Sequence, residues 1–155
     1  MSKQETSACK VVRADKAVRG RQELFYNVGV STESAGARGI HMQIVTVPPG
    51  AGAKAHKHEA HETAIYALRG ECHVWHGERL EHHSVVKPGD VFYIPANVPH
   101  LPYNPSDREE IVCLDRTHRP ERKGKRRPLA PIRRTAFLTA RRRMSLRAIN
   151  PESSS

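Results

Sequence analysis

The residues best equipped for chemistry lie in one short stretch, 50–62, which contains His56, His58, His61 and Glu62. His56 and His58 are two apart, so on an extended chain both imidazoles point to the same face. Glu62, four residues beyond His58, shares that parity if the chain stays extended. Two or three imidazoles with one carboxylate suit a borderline transition metal such as Mn, Fe, Ni, Cu or Zn. Neutral imidazole binds such ions near neutral pH, and a cation compensates the desolvation of a buried carboxylate. Solvated His-rich turns carry the same H-x-H spacing, so this stretch alone leaves both readings open.

A second stretch, 89–104, sets His100 after a Pro-rich turn that follows the apolar run 91–94. Together the two stretches resemble the paired motifs of the cupin superfamily. Gly50, His56, His58, Glu62 and Gly70 follow the order of the first motif, G-x5-H-x-H-x3,4-E-x6-G. Gly89, Pro95, His100 and Asn104 follow the second, G-x5-P-x-G-x2-H-x3-N. The likeness covers most of residues 22–112. It implies a double-stranded β-helix barrel in which His56, His58, Glu62 and His100 converge on one divalent transition metal, and a homodimer.

The chain departs from the motifs in two places. Seven residues rather than six separate Glu62 from Gly70, so Thr63 holds the carboxylate position when one counts back from Gly70. A bulge or a longer turn must absorb the extra residue, because a one-residue slip flips every side chain to the other face. Asn97 stands where the motif has glycine. Asparagine is the residue that best tolerates the left-handed backbone a glycine would supply.

Around this core of residues, His61 has the wrong parity to join His56 and His58 and is expected at the rim. Tyr66 shares the parity of Glu62, which suits a cavity wall or the core. His73, His76, His82 and His83 are expected to face solvent. Arg38, His41 and Gln43 lie within reach of the barrel mouth, although parity does not place them. No Ser-His-Asp set, Cys-His pair or phosphate-cradling Gly loop competes as an explanation. Four protein ligands on a six-coordinate metal leave about two positions for water, O2 or a bidentate substrate. The implied functions are a metal-dependent isomerase, decarboxylase or dioxygenase acting on a sugar phosphate, hydroxy-acid or related oxygen-rich substrate, or a non-catalytic small-ligand sensor. Fold resemblance does not choose between them.

Short β-rich runs must position these residues: 24–30, 40–47, 63–68, 72–76, 85–87, 91–94 and 110–114. Gly- and Pro-containing turns separate them, and strands at such spacing predict an all-β sandwich or barrel. The expected organisation is an N-terminal extension at 1–21, the barrel at 22–114 and a basic, mostly disordered tail at 115–155.

The chain has 155 residues and a formal net charge of +10, which first suggests nucleic-acid binding. Residues 1–114 hold 13 basic and 13 acidic side chains, so the whole excess lies in 115–155. That tail lacks interleaved aromatics and a reading fold, which makes nucleic acid the weakest of the three functional readings. Residues 113–130, back-translated and read one nucleotide later with permitted codons, become a strand, a polar turn and a second apolar run. The second base of each codon is nearly fixed by its amino acid. So long a compatible run points to a single-nucleotide frameshift near 112–113 as the origin of the tail, with a genuine basic tail as the alternative. The odd count of three cysteines, with no export signal or apolar span, predicts reduced thiols, a cytoplasmic location and no membrane partner.

Overall fold

The computed structural model describes residues 8–20 and 24–118. The expectations placed on 119–155, including the bulk of the basic tail, lie outside the described residues. The described chain is built from antiparallel strands: β1 (Ala17–Arg19), β2 (Phe25–Val30), β3 (Ile40–Val47), β4 (Thr63–Arg69), β5 (Cys72–His76), β6 (His82–Val86), β7 (Val91–Ile94), β8 (His100–Tyr103) and β9 (Ile111–His118). One helical turn, α1 (Thr32–Ala35), joins β2 to β3. Every strand expected from the sequence is present. β1 and β8 were not anticipated, because one is very short and the other holds a proline amid polar neighbours.

Six strands form one sheet in the order β1-β2-β3-β9-β4-β7, and a smaller sheet has the order β6-β5-β8. Their inner faces meet in a core that includes Val47, Ala67, Val74, Val86, Ile111 and Cys113. Alternation drives this packing. On β9, Ile111, Cys113 and Thr117 are buried, and the intervening residues are more exposed.

β9 runs past the barrel end expected at 114. It pairs with β3 from Ile40↔His118 to Val47↔Ile111, and with β4 from Thr63↔Thr117 to Arg69↔Val112. A frame change near residues 112–113 would be expected to cost the barrel its last strand and to leave an edge open. Instead, β9 is complete through that point and flanked on both sides. Gly70, with φ of 73°, closes the turn from β4 to β5; a Cβ there would sit 2.7 Å from the Glu110 carbonyl oxygen. No described helix is long and apolar enough to cross a membrane.

Candidate metal centre

Backbone pairing brings the two histidine stretches together. His56 and His100 form an isolated antiparallel bridge, in which each N–H donates to the other's carbonyl at 3.0 and 2.9 Å. Their ring centroids are 4.3 Å apart, and the His58 ring lies 5.3 Å from His56 and 4.9 Å from His100. One ligand nitrogen from each of the three falls within 4.8 Å of the others. Asn97 locks this arrangement. Its φ of 65° is the left-handed geometry expected of it, and its N–H donates to the His58 carbonyl at 2.7 Å.

The outer ring nitrogens are tied back. His56 Nδ1 donates to the Lys54 carbonyl at 2.7 Å, and His100 Nδ1 to the Val98 carbonyl at 2.9 Å. A carbonyl only accepts, so both rings carry their proton on Nδ1 and present the Nε2 lone pair. His58 Nδ1 lies 3.0 Å from Thr63 Oγ1. His100 is only 2% exposed, and burial pushes its pKa down to about 4; the neighbouring His56 adds to the shift and the Val98 carbonyl opposes it. The ring is therefore neutral near pH 7, the form that ligates a metal. These donors fit a divalent transition ion that takes imidazole nitrogen.

Glu62 stands apart from the three histidines. It is exposed and accepts a hydrogen bond from Tyr93 Oη at 2.5 Å. The register of β4 explains this. Thr63 and Ala67 point inward, Tyr66 is exposed like Glu62, and a register shift against β9 falls between Ala67 and Arg69. The extra residue before Gly70 therefore leaves Thr63, 2% exposed, in the inward position.

The histidines line a cavity of about 120 Å³ whose walls are largely aliphatic. His61 also lines it and stacks on His58 at 4.6 Å, which fits the rim position expected of it. Of the three residues that parity left unplaced, His41 and Gln43 line the cavity and Arg38 is exposed outside it. Gln43 accepts from His41 Nε2 at 3.1 Å and donates to Asp115 Oδ2 at 3.0 Å. Sequence reasoning assigned Asp115 to the tail. The period-two series Ile111, Cys113, Asp115, Thr117 was the signal that would have placed it on the inner face. His82 is exposed as expected, but His73 and His83 are half-buried and lie 3.3 and 3.4 Å from Tyr103 Oη.

Residues 43–115 match the family model described as Cupin domain. The polyketide cyclase RemF from Streptomyces resistomycificus is similar in structure, with a TM-score of 0.65 at 22% identity over 80% of this chain and 88% of that one. A predicted oxalate decarboxylase from Thermotoga maritima gives a TM-score of 0.59 at 22% identity over 72% of this chain and 100% of that one. A Cupin 2 conserved barrel domain protein from Salinispora arenicola gives 0.59 at 19% identity over 71% and 88%. No curated protein matches the chain significantly.

Proposed function

Because the chain is a member of the cupin superfamily, we propose that His56, His58 and His100 hold one divalent transition metal and that the protein is a metal-dependent enzyme acting on a small, oxygen-rich substrate. The observation that carries this reading is the convergence of three ring nitrogens within 4.8 Å on the wall of a cavity, with each ring fixed from behind. When bound, the metal would supply Lewis acidity and a template for substrate oxygens. The chain's own part is to hold three neutral imidazoles in place, to exclude water with aliphatic walls, and to present His41, Gln43 and Asp115 as polar contacts. The similar structures carry names as different as polyketide cyclase and oxalate decarboxylase, so the fold supports an enzyme without choosing its reaction. The position of Glu62 outside the cavity favours a second reading, a non-catalytic ligand-binding cupin, since no glutamate joins the histidines among the described residues.

Metal analysis of protein purified without added metal tests the centre. About one equivalent of a transition metal is expected, and His56→Ala should remove it. Full occupancy in that variant would sink the ligand assignment. Turnover of small diketones, hydroxy-acids and sugar phosphates that depends on metal would separate the enzyme from the binding protein.

A further inference from the structure

The cavity wall has an uneven chemistry. No lysine or arginine lines it among the described residues, and its single acidic side chain is Asp115. Asp115 does not float in this wall. The amide nitrogen of Gln43 donates to its Oδ2 at 3.0 Å, and the amide oxygen of Gln43 is held in turn by His41 at 3.1 Å. An amide that accepts on one side and donates on the other fixes the carboxylate as an acceptor. Much of the remaining wall is aliphatic, including Val45, Val47, Ile65, Val74 and Ile94. A phosphate or a second carboxylate buried here would find no cation to offset its desolvation, and it would meet a fixed negative charge. A hydroxyl would find a charged acceptor already in place. The volume, about 120 Å³, is comparable with an apolar cavity of about 150 Å³ that holds benzene.

From this we infer that the cavity takes a small ligand with an O–H donor and no phosphate or second carboxylate, with Asp115, held by Gln43, as the residue that selects it. This deepens the metal-centre reading and rests on it only for where the ligand sits.

The test uses a matched pair, dihydroxyacetone and dihydroxyacetone phosphate, titrated calorimetrically and by ligand-observed NMR into the full-length protein with and without metal. The uncharged member should bind at least tenfold more tightly than the phosphate. Asp115→Asn keeps the shape of the side chain and should shrink that ratio severalfold. Gln43→Met, which keeps the volume but frees the carboxylate, should shrink it partly. Equal or tighter binding of the phosphate, no binding of the uncharged member, or an unchanged ratio in Asp115→Asn would each overturn the inference. Metal content measured on the same samples keeps the two readings apart. Full metal without discrimination overturns the ligand class alone. Discrimination in protein that takes up no metal overturns the centre alone.

Discussion

His58 and Thr63 face each other across 3.0 Å, so a buried hydroxyl stands behind the ring where the cupin motif would lead one to look for a carboxylate in front of it. Partners of this kind orient a ligating imidazole, and losing one typically costs about 10–100-fold in metal affinity. Thr63→Val keeps the shape and removes the hydroxyl. Competition with a chelator should show roughly that loss, and an unchanged affinity would mean that Thr63 only fills space.

Glu62 provides the contrast. Its carboxylate is exposed and bonded to Tyr93 on the outside of β4. Glu62→Gln should leave metal content as it is in the wild type. If metal analysis shows a clear drop, the side chain reaches the centre after all.

The three ligating residue types and Asn97 were legible in the sequence because spacing and residue type decide them locally. Which of Glu62 and Thr63 faces inward was not, because parity along β4 depends on its pairing with β9, from Thr63↔Thr117 onward. Asp115 was obscured for a related reason. Asp115, Arg116, Thr117 and His118 are all polar, so the run reads as tail even though the inner face of this strand borders a cavity that accepts polar groups.

Asn104 is the last residue of the second motif, and its role is structural. It is 3% exposed, its Nδ2 lies 3.1, 3.2 and 2.7 Å from the carbonyls of Val47, Pro48 and Glu109, and its Oδ1 accepts from the Ser106 N–H. Asn104→Leu strands these groups and should cost about 3 kcal/mol in chemical denaturation. A loss within about 0.5 kcal/mol, the range of an ordinary surface change, would contradict this role.

The cysteines yield a pH dependence. Cys9 is exposed, whereas burial pushes Cys72 up to about 12 and Cys113 up to about 11, with the Cys113 charge adding at Cys72 and Asp115 adding at Cys113. Unfolded thiols ionise near about 8.5, so the two buried groups favour the folded state fully below that pH and progressively less as pH rises towards 11–12. A thiol reagent at pH 8 should therefore modify Cys9 alone until denaturant is added. Rapid labelling of all three in folded protein would refute the burial.

A single-nucleotide frameshift near residues 112–113 is tested by reading the gene. The frame one nucleotide later should encode a strand, a polar turn and a second apolar run. Stop codons or polar sequence there would remove the idea.

The place of β9 also bears on how the protein is made. The last described strand is inserted between β3 and β4, at the middle of the larger sheet. A ribosome that has released the chain only as far as β8 presents two unpaired edges with a gap between them. Neither edge is satisfied until the segment ending at His118 emerges. Closure across so long a sequence separation is slow, and open edges of this kind recruit other chains. Nascent and prematurely terminated products of this gene should therefore depend on chaperones far more than the finished barrel does.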